Sequence, residues 1–340
     1  MKAVRVYAPE DMRIVDIEKP QIDKEKNVLI KMKAAGICGS DRGILHGTNA
    51  AATYPRIIGH EIVGVVEEIG EGVTKVKPGD RVIIDQVTNC GHCYACRMGR
   101  PNVCINLKVK GVHIDGGYRE WMTCNENDCY ILPDFLEDKD CVMIEPTTIA
   151  VQSCSRAELK EIDDLLIIGA GALGTSLIKI AKLYNPHKLI VSDIDDVKLQ
   201  NALELGATDV INSKKEDLEE AVKRLTGGYG STVTIDAACV KGSLLSALKV
   251  TGPAGRVMTM GFSVAPEEVN NYLITSKELD VRGSRLQNRK FQQVIDLVNE
   301  GKIDLKGSVS HTFPITEANE AFKFADSGDP SIRKIALLFD

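Results

Sequence analysis

The sequence predicts an α/β protein of two domains, an irregular β-rich module and a doubly wound parallel sheet. Three observations carry this. The chain has 340 residues, 44% of them hydrophobic, enough for two cores of ordinary size. Up to about residue 150, short apolar runs separated by turn residues read as strands, as at 27–34, where Val28, Ile30 and Met32 alternate with other residues. From Asp164 the pattern becomes strand, helix, strand, helix, which builds a parallel sheet covered on both faces.

The second domain reads as a strand at 165–168, a helix to Tyr184, a strand at 189–191 and a helix beginning near Asp195. A strand at 209–211, a charged helix from Lys214, a strand at 233–236, a helix after Lys241 and a strand at 256–260 continue the series. The last fifty or so residues, from Phe291, give one amphipathic helix and short elements ending at 335–339, too few for a third domain. The chain shows no repeat and no low-complexity tract.

A net charge of −6 without clustered Lys and Arg offers no footprint for nucleic acid or an anionic membrane. The N-terminus has no apolar signal region, and no uncharged apolar run approaches the roughly 18 residues of a span. A cytoplasmic location is expected.

The run Gly169-Ala170-Gly171-Ala172-Leu173-Gly174 follows an apolar strand and opens a helix, the context in which GxGxxG cradles a pyrophosphate. The alternative is an ordinary glycine-rich turn. Asp193, after the second strand about twenty residues on, suits the adenosine ribose hydroxyls of NAD, so a Rossmann sheet is expected. Asp195 and Asp196 follow it with no adjacent arginine, which disfavours a 2′-phosphate. One of these aspartates also suits a helix N-cap.

The chain has ten cysteines, and Cys90, Cys93, Cys96 and Cys104 fall within fifteen positions on a segment containing Gly91, Gly99 and Pro101. In a reducing compartment that spacing points to a closed four-thiolate zinc site, which shapes a lobe and leaves no position open for chemistry. His92 reads as a bystander, and Cys124, Cys129, Cys141, Cys154 and Cys239 as small core residues. Cys38 in Gly-Ile-Cys-Gly-Ser-Asp and His60-Glu61 in Gly59-His60-Glu61-x2-Gly64-x5-Gly70 are weak metal signals taken singly.

Together with Lys77-Pro78-Gly79-Asp80-Arg81-Val82, the four-cysteine loop and the dinucleotide turn, those segments stand in one order along nearly the whole chain. In this the sequence strongly resembles the zinc-containing medium-chain alcohol dehydrogenase family. The resemblance implies a GroES-like catalytic domain at 1–150, completed by 287–340, around a Rossmann NAD-binding domain at 151–286. It is closest to the sorbitol dehydrogenase branch, with Ile144-Glu145-Pro146 where many simple alcohol dehydrogenases place a cysteine. By that resemblance Cys38, His60 and Glu61 form the catalytic zinc site, with Glu145 as a fourth or exchanging ligand. Two zincs per chain follow, one catalytic and one structural.

Ser40 matches the hydroxyl that starts the family's proton relay, with a turn serine as the alternative. Gly43 stands where many relatives complete the relay with histidine, and His46 is the candidate replacement, water being the other. Cofactor contacts are expected from Lys198, Gly261, Phe262, Ser284 and Arg285. The segments at 111–118 and 282–285 resemble those of hexonate dehydrogenases of the L-galactonate, L-gulonate and D-mannonate type and of a starvation-sensing subgroup. A polyol or sugar-acid substrate is expected in an interdomain crevice, with Arg285 near the nicotinamide or pairing a carboxylate, unless it makes a surface salt bridge. The alternatives are L-threonine 3-dehydrogenase activity, a zinc-free quinone reductase-like relative, and a non-enzymatic sensor of NAD and a sugar acid. A homodimer or homotetramer is expected from the family.

Overall fold

The computed structural model describes residues 1–262, 264–329 and 331–340. The chain divides into two units, Met1–Glu145 with Phe291–Asp340, and Pro146–Lys290. The helix Ile144–Ala157 crosses the first boundary.

In the first unit, a seven-stranded sheet has Val28–Gly36 at its centre. That strand is buried on both faces, and pairs antiparallel with Glu61–Ile69, with Trp121–Cys124 and with Ile335–Leu338. The C-terminal residues thus supply a strand beside the central one. They are too few to stand alone because they complete a sheet begun three hundred residues earlier. The helix Phe291–Asn299 buries Phe291, Val294, Ile295 and Val298, the i, i+3, i+4, i+7 stripe of an amphipathic helix.

The second unit is a six-stranded parallel sheet. Its order is Asp209–Asn212, Lys188–Asp193, Asp164–Ile168, Ser231–Asp236, Thr251–Thr259, Asp280–Gly283. This is the 3-2-1-4-5-6 order of a Rossmann sheet, with the switch point at Asp164–Ile168 and Ser231–Asp236. The charged helix expected from Lys214 begins at Leu218, because the Asp217 side chain accepts from Glu220 N–H and caps it there. The sixth strand, Asp280–Gly283, was not foreseen. Its side chains are largely exposed, so it lacks the apolar run that marks a buried strand. Among the described residues no helix is long and apolar enough to cross a membrane.

Candidate metal centre and dinucleotide turn

Three neighbouring strands converge on the first site. Gly36, ending the central strand, lies opposite Glu61 on one side and Ala336 on the other. Two residues beyond Gly36, Cys38 is the N-cap of the helix Gly39–Leu45, and His60 precedes the strand that Glu61 begins. The donor atoms of Cys38, His60 and Glu61 lie within 4.8 Å of one another. Thiol, imidazole and carboxylate are the donor types that zinc takes, so this set fits the metal implied by the sequence.

The Glu61 carboxylate leans over Gly36, where a Cβ would sit 1.9 Å from Oε2. Lys334, buried just before the C-terminal strand, places Nζ against the same carboxylate. Burial disfavours charge on Lys334, but Glu61 and Cys38 outweigh it and raise its pKa.

Behind His60 lies Asp41, fully buried. It accepts hydrogen bonds from Cys38 N–H (2.9 Å), Gly59 N–H (3.2 Å) and the Tyr118 hydroxyl (3.1 Å). Its Oδ1 stands 3.4 Å from His60 Nδ1, while His60 Nε2 stands 3.4 Å from Ser40 Oγ. The carboxylate thus stands behind the imidazole as a charge partner without a hydrogen bond to Nδ1, and Nε2 is turned toward Ser40. Burial works to raise the Asp41 pKa, but His60 and the donated hydrogen bonds hold it below the usual range. Gly59 has φ +93° and lies so close to Tyr118 that a Cβ would meet the ring at 2.1 Å, which makes glycine necessary before His60.

Glu145 lies outside the close group of three donors, in the first turn of the helix Ile144–Ala157. Its Oε1 accepts from Gln86 Nε2. Burial pushes its pKa up to about 8, opposed by His60 and Lys334 and reinforced by Glu61. Its carboxyl is thus near enough to feel the charges of His60 and Glu61 while hydrogen-bonded to Gln86. His46, considered for the proton relay, is placed elsewhere. Its Nδ1 meets Glu10 (2.6 Å) and its Nε2 meets Asp326 (2.9 Å), so both ring nitrogens are engaged at the end of the helix that Cys38 begins.

The four cysteines also come together. Cys90 and Cys104 sulfurs are 3.4 Å apart, Cys93 and Cys96 3.5 Å, and Cys93 and Cys104 3.8 Å, with no disulfide among them. Zinc–sulfur bonds of about 2.3 Å in a tetrahedron set the sulfurs about 3.8 Å apart, so the cage is of the right size. Backbone N–H groups of Cys96 and Ile105 lower the Cys93 pKa to about 6. His92 is exposed, turning Nδ1 to the Cys90 carbonyl.

In the second unit Gly169 has φ +99°, and a Cβ there would lie 2.8 Å from Ala238 N. A Cβ on Gly174 would strike the Gly169 carbonyl at 2.0 Å, whereas one on Gly171 would meet nothing within 4 Å. Gly171 caps the helix Ala172–Ala181, so the open space lies at a helix N-terminus, as an anion site requires. Asp193 ends its strand and accepts from Ala170 N–H (2.7 Å), tying strand to turn. Asp195 is the N-cap of the next helix, which carries Lys198. The Arg285 guanidinium lies 4.7 Å from the centre of the exposed Phe262 ring. The buried Ser284 donates its N–H to Thr259 O, and Gly261 lies beside Cys239.

Asp41, Gly36 and Lys334 were not singled out from sequence. Asp41 had a signal, standing three residues after Cys38 in the quoted motif. Lys334 had none, being 273 positions from Glu61.

Comparison with known proteins places the chain in a family. Residues 24–134 match the alcohol dehydrogenase GroES-like domain, and residues 172–300 match the zinc-binding dehydrogenase domain. The chain is 39% identical to starvation-sensing protein RspB of Escherichia coli K12 over 340 residues, covering 100% of this chain and 99% of that one. It is 32% identical to a sorbitol dehydrogenase of Bombyx mori over 333 residues, covering 96% and 95%. A solved structure of the rspB alcohol dehydrogenase of E. coli CFT073 with cofactor NADH superposes with a TM-score of 0.93 at 38% identity, covering 100% and 99%. The chain belongs to the zinc-type medium-chain alcohol dehydrogenase family.

Proposed function

We propose that this zinc-type dehydrogenase oxidises a secondary alcohol of a polyol or sugar acid, passing hydride to NAD. The observation that carries the reading is the cluster of Cys38, His60 and Glu61 with the carboxyl of Glu145 beside it in place of a further thiol. Two zincs per chain suit the donors, one on Cys38, His60 and Glu61 and one on the four cysteines. Zinc bound at the first group supplies a Lewis acid that favours the alkoxide form of the substrate hydroxyl.

The protein's own groups prepare that step. Asp41 backs the His60 ring as its charge partner, and Lys334 with Gly36 fixes Glu61. Ser40, whose hydroxyl lies 3.4 Å from His60 Nε2, is the candidate to receive the alcohol proton. His46, engaged by Glu10 and Asp326, has no part, and the proton leaves Ser40 through water. Gly171 leaves room for the pyrophosphate, and Asp193 takes the ribose hydroxyls. Asp195 and Asp196 disfavour a 2′-phosphate, and Lys215 is already held by Asp196 at 2.6 Å. Arg285, stacked on Phe262, is the candidate partner for a substrate carboxylate.

The test is NADH formation by zinc-loaded protein over polyols, hexonates, sugar phosphates and L-threonine, accepting only signals abolished by Cys38→Ser. Turnover of a polyol or hexonate supports the reading, and turnover of L-threonine alone overturns the substrate class. A second reading, a sensor that binds NAD and a sugar acid without turnover, is favoured by the 39% identity to a protein named for starvation sensing. NADH binding without turnover on any of these compounds would select it.

A further inference from the structure

Away from the metal centre, the first unit carries a cleft of about 710 Å3, within the size range of small-molecule sites. None of Cys38, His60, Glu61 or Glu145 lines it. Two of its cations are spoken for, Arg56 by Asp115 at 3.0 Å and Lys110 by Asp128 at 2.9 Å. That leaves Arg119, Lys26 and Lys108 facing the same space, with Glu25 as the one further acid on the wall.

Arg119 is the telling residue. Its Nε is buried without a hydrogen-bond partner, and its guanidinium makes no hydrogen bond or ion pair among the described residues. Burial pulls its pKa below the usual guanidinium value, with Asp115 only partly opposing. Its Nε is out of water without a partner and Asp115 offsets the charge only in part, so an anion in the cleft is the natural complement. Its planar fork suits two oxygens of one anion. Two uncompensated positive charges call for a dianion, Thr88 and Thr123 add hydroxyls, and the volume leaves room for an organic group beyond the anion.

We propose that this cleft binds a phosphate-bearing small molecule, gripped by the Arg119 guanidinium with Lys26 and Lys108 at the exposed rim. None of the residues lining it belongs to the unit that carries the dinucleotide turn.

The test is calorimetric titration of zinc-loaded, NADH-saturated protein with inorganic phosphate and with glycerol 3-phosphate at constant ionic strength. NADH occupies the dinucleotide turn, so its backbone donors do not contribute. Both probes should bind saturably, one per chain, without competition from acetate. Arg119→Met should weaken both by about tenfold or more, and should not lower the melting temperature in phosphate-free buffer, since the guanidinium makes no hydrogen bond or ion pair among the described residues to lose. If Arg119→Met does not fold, the double variant Lys26→Gln, Lys108→Gln must weaken binding by roughly threefold. Unchanged binding in the variants, equal competition by acetate, or binding of inorganic phosphate but not its ester would each overturn the proposal.

Discussion

Replacing Asp41 by asparagine is the sharpest probe of how the metal centre is held. The substitution keeps the volume and one oxygen. If that oxygen stays toward Cys38 N–H and the Tyr118 hydroxyl, the amide NH2 takes the place that faced Gly59 N–H and His60 Nδ1. Gly59 N–H then loses its acceptor, at about 1–3 kcal/mol for a buried donor. His60 must also offer Nδ1 as a lone pair, which moves its proton to Nε2, the nitrogen a metal needs free. The opposite flip strands Cys38 N–H instead. Loss of such an orienting carboxylate costs about 10–100-fold in metal affinity, or about 1.4–2.8 kcal/mol. Competition for zinc with a chromophoric chelator measures it, the four-cysteine zinc serving as reference within the same molecule. Affinity at the Cys38 site within about twofold of the parent protein would refute the role given to Asp41.

Further outcomes follow from the same geometry. Gly36→Ala places a Cβ 1.9 Å from Glu61 Oε2 and 2.9 Å from Lys334 Cε. It should destabilise the fold by about 1–3 kcal/mol in urea unfolding and reduce zinc retention. Gly171→Ala, whose Cβ meets no protein atom within 4 Å, should leave the melting temperature unchanged and weaken NADH by about tenfold, read by fluorescence titration. Gly174→Ala, whose Cβ strikes Gly169 O at 2.0 Å, should lower both. For His46, the hydrogen bonds that its ring gives to Glu10 and Asp326 raise the pKa. Their stabilising contribution is fully present below about pH 6.5 and is lost as pH rises through the raised folded-state value. His46→Gln should therefore cost under about 1 kcal/mol near pH 6 and less near pH 9, with NADH formation unaffected.

What could be read in the sequence was what local chemistry writes locally. The strands Asp164–Ile168 and Lys188–Asp193 are buried in a parallel sheet, so they show as unbroken apolar runs. The four cysteines announce themselves because one short loop holds the whole ligand set. The exposed strand Asp280–Gly283 carries no such run, and Thr251–Thr259 contains Gly252, Pro253 and Gly255, so its first half reads as a turn. Lys334 looks like a surface lysine until the C-terminal strand pairs with Val28–Gly36 and brings it onto Glu61. Glu145 is a possible ligand from its resemblance alone, whereas its hydrogen bond with Gln86 appears only in the folded chain, since no motif includes Gln86. The unpartnered state of Arg119 is likewise a property of the folded chain.

The central claim is that two separate metal sites serve two purposes, and zinc per chain across three proteins tests it most directly. The account predicts about two zincs for the parent protein and about one for Cys38→Ser, which keeps its melting temperature and loses NADH formation. It predicts about one for Cys93→Ser, which loses stability first. A parent protein with no zinc, or a Cys38→Ser variant that still holds two and still forms NADH, would contradict it.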